Sequence, residues 1–261
     1  MRPVLTTALG ALAALPLIAA AFAAKPSAQE APEIGAADRA VTEAVVRDYL
    51  LANPEVIVEA LEIWRDRQEA EAETMAAEAA ETALPMLLSG ETGFAMGAAA
   101  DEADVLVVEF FDYHCGYCRR AADYVFELAE RDGVRVVFQD LPILRTESRG
   151  AALAGLAAAE AGTYPAMHRQ LMRASGVLDD DAVAKAARRA DASAAVARLD
   201  DEGVRARLEE KLSASVAAAR AMGLDGTPSF VVAAPDGGLI RVIPSYAPDA
   251  VDAAIAEVRA L

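Results

Sequence analysis

The chain has 261 residues, enough to bury a full core as one large domain or two unequal ones. Its 24 Lys and Arg are outnumbered by 41 Asp and Glu, and a formal charge of −17 repels phosphate backbones and anionic headgroups, which argues against nucleic-acid binding. The 55% apolar fraction is rich in alanine, a helix former that buries little area.

Val4 to Ala24 form an apolar stretch behind Arg2 and are followed by Lys25-Pro26-Ser27. Ala21-Phe22-Ala23 supplies the small-x-small pattern that signal peptidase reads, so a cleaved signal peptide over 1–23, and export, are expected. An uncleaved N-terminal membrane anchor is the alternative, since the run approaches spanning length, but Pro16, Gly10 and the alanine-rich character favour cleavage. Residues 24–36, rich in Pro, Ala and Glu, read as a flexible leader.

From Asp38 the pattern turns helical, with Val41, Val45, Val46 and Tyr49 at helical spacing. Asn53-Pro54 stops that helix and starts the next, Asn as an N-cap and Pro at the first helical position. The second helix carries Ile57, Leu61 and Trp64 on one stripe and fades into Glu69 to Ala83, which suits a solvated spacer. Residues 37–90 hold too little apolar surface to fold alone. Their stripe is expected to pack on the downstream domain or, the favoured reading, on a copy of itself in a homo-oligomer.

Pro85 to Ala100, with Gly90, Gly93 and Gly97, marks the boundary to a domain over 91–261. Val105 to Phe111 reads as a buried strand, and Arg119 to Arg131 as an amphipathic helix with Ala122, Val125, Phe126 and Ala129 inward. Val134 to Gln139 is a second strand, giving a parallel βαβ unit. A helical region follows at about 148–222, broken at Gly162, Gly176 and Asp200-Asp201. Ser229 to Ala233 and Leu239 to Ile243 form a hairpin across Pro235-Asp236-Gly237-Gly238, and Ala250 to Leu261 closes as a helix. The order is α/β: a thioredoxin layout with an inserted helical domain, preceded by an N-terminal helical oligomerisation segment.

Both cysteines of the chain lie in Cys115-Gly116-Tyr117-Cys118, between the first strand and the helix after it. An exported protein in need of staples would carry more, and two so close together close no useful loop, so the pair reads as a redox dithiol. At a helix start, unpaired N–H groups and the macrodipole favour negative charge, which makes Cys115 the attacking thiolate and Cys118 the resolving thiol. Gly116 and Tyr117 tune that thiolate. Haem attachment would need His at 119, which is Arg, and a zinc site would need four ligands, so no metal and no cofactor beyond a redox-active Cys115–Cys118 disulfide is expected. A protonated His114 would favour the thiolate, or the residue is merely a surface residue of the loop. His168 reads as a packing or capping residue. Glu109, the one charge inside its strand, shares a face with Val107 and Phe111 and is a candidate proton shuttle to Cys118, a salt bridge at the sheet rim being the alternative. In Gly226-Thr227-Pro228-Ser229-Phe230, Pro228 stands where a cis peptide is expected, offering the Thr227 backbone to an extended substrate chain.

With Phe110-Phe111-Asp112-Tyr113-His114-Cys115-Gly116-Tyr117-Cys118 and Gly226-Thr227-Pro228, the chain resembles the DsbA-like periplasmic disulfide oxidoreductases from about Gly93 to Leu261. The resemblance implies Cys115 as nucleophile, Cys118 as resolving cysteine, Glu109 as the buried acid and Pro228 as the cis-proline. Residues Val46 to Glu55 are similar to the N-terminal oligomerisation segment of ScsC-type proteins, associated with copper tolerance. Gly116-Tyr117 and Thr227 are similar to disulfide isomerases and differ from the archetypal oxidase. A periplasmic isomerase or reductase is therefore expected, acting on unfolded or misoxidised exported proteins and reset by a membrane redox partner. A disulfide-donating oxidase and a chaperone-like binder of unfolded chains are the alternatives.

Overall fold

The structure, a computed structural model, describes residues 35–261, so the expected signal peptide and nearly all of the leader lie outside the described residues. No helix among the described residues is long and apolar enough to cross a membrane. The chain divides into two units, 1–59 and 60–261.

In the first unit, α1 (Ala36–Ala52) ends where the Asn53 backbone N–H and side-chain Nδ2 both donate to the Tyr49 carbonyl, at 2.9 and 2.8 Å. Asn53 thus closes α1 and is not the N-cap expected for the next helix. An amide NH2 suits the orphan carbonyls of a C-terminus. Val41, Val45, Val46 and Tyr49 are all exposed. The helix α2 (Glu55–Ser89) opens after Pro54, and Ile57 near its start is exposed as well.

The second unit begins within α2, where Leu61 and Trp64 are also exposed. Further along, Ala80, Leu84 and Leu87 are buried. The helix runs through the expected spacer and, past Pro85, into the expected boundary as far as Ser89. A mid-helix proline costs about 3 kcal/mol, but fully burying a leucine contributes roughly 1.5–3 kcal/mol, so Leu84 and Leu87 together outweigh it.

A five-stranded sheet runs in the order β1-β3-β2-β4-β5. The strand β1 (Phe94–Gly97) lies antiparallel to β3 (Val134–Asp140) within the stretch expected to be only a boundary. Four residues with glycine at the end give no readable alternation. Gly97 has φ of +86°, and a Cβ there would sit 2.3 Å from the Val134 carbonyl. The centre is β2 (Val105–Phe111), buried at every residue, parallel to β3 and antiparallel to β4 (Ser229–Ala233), which pairs with β5 (Ile240–Ile243).

Alternation along β2 sorts two cores. Leu106, Val108 and Phe110 meet Leu84 and Leu87 of α2 and Ala218 and Ala219 of α8 (Glu202–Ala221). Val105, Val107 and Phe111 face α3 (Gly116–Leu128), α9 (Pro248–Arg259) and the helices between β3 and α8. Those are α4 (Ser148–Glu160), α5 (Tyr164–Arg173), α6 (Asp180–Arg189) and α7 (Ser193–Ala197). An interruption at Asp191, with φ of +54°, adds to the breaks read from the glycines. The parallel β2-α3-β3 unit thus leaves the start of α3 at the end of the central strand.

Candidate active site

Cys115 caps α3 in an extended conformation, with φ −77° and ψ 120°. Its sulfur accepts from the Cys118 backbone N–H at 3.5 Å, and as a thiol it donates to the Thr227 carbonyl at 3.0 Å. Both thiols are free, Cys115 at 5% and Cys118 at 0% exposure. The Cys115 pKa falls to about 5, chiefly through hydrogen bonding with the Cys118 thiol, against burial, and with help from Thr227 and the Cys118 and Tyr117 backbone. Burial above all pushes the Cys118 thiol far up, with the Cys115 hydrogen bond and the Glu109 charge adding to it. The two sulfurs are therefore unequal: one is ionised in neutral water, the other holds its proton.

Glu109 is fully buried, and neither of its oxygens has a hydrogen-bond partner. It lies opposite Phe138 on one side and Phe230 on the other, on the face of Val107 and Phe111 beneath the dithiol. Among the described residues it forms no salt bridge at the sheet rim. Burial first, and the Cys115 thiolate second, raise its pKa to about 8, within reach of a proton exchange at neutral pH.

The Thr227–Pro228 peptide is cis, and the loop carrying it places residue 227 against Cys115. Thr227 Oγ1 is buried without a partner. On the open side, Gly116 has free space where a side chain would stand, and Tyr117 is 57% exposed with the Arg120 guanidinium 4.1 Å from its ring centre. Cys115, itself only 5% exposed, thus lies at the edge of this open side beside the Thr227 main-chain carbonyl, an arrangement that suits an extended chain brought to the sulfur.

His114 is neither a charged neighbour nor a free loop residue. Its Nε2 accepts from the Leu178 N–H at 3.0 Å, which leaves the proton on Nδ1, donated to Ser148 Oγ at 2.8 Å. Burial lowers its pKa, outweighing the nearby Asp112, so the ring is neutral at pH 7 and supports no thiolate by charge. Ser148 Oγ in turn donates to Asp112 Oδ1 at 2.8 Å. The same Oδ1 accepts the His114 N–H at 2.8 Å, while Oδ2 accepts the Ile143 and Leu144 N–H at 3.0 and 2.9 Å.

Asp112 and Ser148 escaped sequence reasoning. A second charge directly after the buried strand that holds Glu109 was a signal for Asp112; nothing marks Ser148. Asp140, at the end of β3, is a further buried carboxyl, raised well above its ordinary value by burial, then Asp112, then Glu109. His168 is the packing residue expected, fully buried and edge-on to Phe111, with its Nδ1 3.0 Å from the Tyr164 hydroxyl and 3.3 Å from that of Tyr113. Gly155 of α4 makes room for that Tyr113 hydroxyl, which a Cβ would approach to 2.7 Å.

Over residues 106–256 the chain matches the model of the DSBA-like thioredoxin domain, and over residues 38–71 that of the copper resistance protein ScsC N-terminal domain. Among solved structures, BcfH of Salmonella enterica Typhimurium is 26% identical with a TM-score of 0.70, covering 85% of this chain and 96% of that one. A linker-deleted variant of ScsC from Proteus mirabilis is 25% identical with a TM-score of 0.59, covering 89% of this chain and 99% of that one. The Na(+)/H(+) antiporter NhaA 3 of Salinispora tropica shares 34% identity over 139 residues, 50% of this chain, which spans only 20% of that protein's length.

Proposed function

The chain belongs to the DSBA-like thioredoxin-domain family of thiol-disulfide oxidoreductases, and from that premise we propose that it reduces or isomerises disulfides in exported proteins through Cys115 and Cys118. The observation that carries this reading is the unequal pair: a Cys115 thiol acidic to about 5 beside a Cys118 whose proton is held tightly.

The Cys115 thiolate attacks one sulfur of a substrate disulfide, forming a mixed disulfide as the other substrate sulfur leaves as a thiolate. That step removes the thiolate charge which helps keep Glu109 protonated, so Glu109 sheds its proton more readily and its carboxylate is present to take one when Cys118 must lose its own. Cys118 then attacks Cys115, the substrate's second sulfur leaves as a thiol, and the chain holds a Cys115–Cys118 disulfide. Two electrons have gone to the substrate, and a dithiol reductant, the membrane redox partner, returns them. In isomerisation another substrate thiol resolves the mixed disulfide instead, and no electrons are spent.

The likeness to ScsC supports a periplasmic protein that self-associates through residues 37–90, whose apolar stripe the chain leaves exposed. Several dithiols in one assembly suit the shuffling of misoxidised or unfolded exported chains. The second reading, a disulfide-donating oxidase, draws on the same acidic thiol, because stabilising the reduced form makes the disulfide more oxidising.

Reactivation of a protein with scrambled disulfides tests the proposal. Full-length protein is expected to restore activity, Cys115→Ser to restore none, and protein lacking residues 37–90 to restore less while still reducing small disulfides. Equal reactivation by the truncated protein removes the assembly argument, and no reactivation by the full-length protein removes the isomerase reading and favours the oxidase. Reactivation by Cys115→Ser removes both and leaves a binder.

A further inference from the structure

Asp112 is joined to several parts of the site, including the Cys118 sulfur through its own backbone. Its main chain accepts the Cys115 N–H at 2.9 Å, closing the 112–115 turn. Its carboxylate takes the four hydrogen bonds described above, from three backbone N–H groups and the Ser148 hydroxyl. Through Ser148 and the neutral His114 ring it also reaches the Leu178 N–H ahead of α6. Arg119, one turn into α3, donates to the Tyr113 carbonyl from Nε and Nη2 at 3.3 and 3.1 Å, which fixes the residue between.

The donors are all neutral. Among the described residues neither Lys nor Arg pairs with this buried carboxylate, and its nearest basic group is the His114 ring at 3.7 Å. A carboxylate is held in such a place by N–H and O–H dipoles directed at it, and those donors lose their partner together when it goes. Three separate segments then lose the same anchor: the turn that carries Cys115, the loop over Ile143 and Leu144, and the start of α4. Cys115 owes its acidity chiefly to hydrogen bonding with the Cys118 thiol, with Thr227 and the Cys118 and Tyr117 backbone adding to it. All of these depend on where the 112–115 turn places the sulfur.

We propose that Asp112 is a positioning residue for thiol-disulfide exchange: its carboxylate locks the dithiol turn to the β3–α4 loop and to the helical insertion, and so keeps the Cys115 sulfur aimed between Thr227 and the Cys118 amide. This rests on the exchange reading given above.

Alkylation of Cys115 across pH tests it. The intact protein comes first, and a midpoint near that of a free thiol sinks the exchange reading and this inference with it, whereas the variants overturn the inference alone. In Asp112→Asn, which keeps the size and removes acceptor capacity, the midpoint is expected to rise by about one unit, slowing alkylation at pH 5 about fivefold. The direction is diagnostic, because loss of a nearby negative charge alone would lower the midpoint. A midpoint that falls or stays, with only the melting temperature reduced, leaves Asp112 a structural residue and overturns the proposal. If Asp112→Asn does not fold, Ser148→Ala decides: it removes one of the four bonds and the link to His114, and a raised midpoint supports the proposal while an unchanged one ends it.

Discussion

Glu109 and Cys115 pull the stability of the reduced protein in opposite directions as pH rises. Glu109 has an ordinary pKa of 4.5 and about 8 when folded, so between those values the folded chain keeps a proton that the unfolded chain has lost. Its contribution therefore falls as pH rises through that window, by about 5 kcal/mol at about 1.4 kcal/mol per unit. Cys115 has an ordinary pKa of 9.0 and about 5 when folded, so its thiolate stabilises the reduced protein increasingly from about pH 5 upward, and that gain is lost as pH falls. The oxidised protein, without the thiolate, is expected to lose stability from pH 5 to 8 while the reduced one stays nearly level. Glu109→Gln in the reduced form should become more stable over the same range. Denaturant titrations at several pH values measure all three, and a level oxidised profile would remove the buried, high-pKa carboxyl. At this scale the residues that change charge or bond were legible in the sequence, because a cysteine pair or a lone strand carboxylate stands out by type. The residues that orient them were not. Ser148 and Leu178 act through a hydroxyl and a main-chain N–H, which any surface loop also offers.

The helix α2 shows how one element serves two environments. Leu84 and Leu87 are covered by the sheet face of Leu106, Val108 and Phe110, whereas Met75, less than three turns earlier, is 67% exposed. Leu84→Ala is expected to destabilise the 60–261 unit by about 2–5 kcal/mol, and Met75→Ala to change it by less than about 0.5 kcal/mol. Thermal melts of the two variants give the comparison, and equal effects would mean that the end of α2 is not docked on the sheet. The order β2-α3-β3, the hairpin β4-β5 and the closing α9 were readable because each repeats a period of 2 or 3.6 over enough residues. The C-terminal part of α2 was not, since its alanine-rich stretch has no contrast and Pro85 imitates a stop. β1 escaped because antiparallel pairing with β3 is a tertiary fact that four residues cannot announce.

On the scale of the molecule, α1 and the first turns of α2 carry most of the exposed large apolar side chains among the described residues, and Met75, Tyr117, Ile143, Leu144 and Val177 add to them further along. Val45, Tyr49, Ile57, Leu61 and Trp64 each stay about half exposed or more, and burying them in an assembly of copies would recover apolar area that the single chain leaves in water. The high negative charge opposes association at low ionic strength, so salt that screens it should strengthen the assembly, the reverse of the effect on an ion-paired interface. Trp64 is the chain's only tryptophan and lies on this stripe, so its emission reports the state of assembly directly. Concentrated protein in moderate salt is expected to show blue-shifted Trp64 emission and a mass of more than one chain by light scattering. Dilution, or Leu61→Asp, should shift the emission to the red and the mass to one chain, with the alkylation midpoint of Cys115 unmoved. Emission that stays red at every concentration would leave the stripe uncovered in solution and separate the N-terminal helices from any role in assembly.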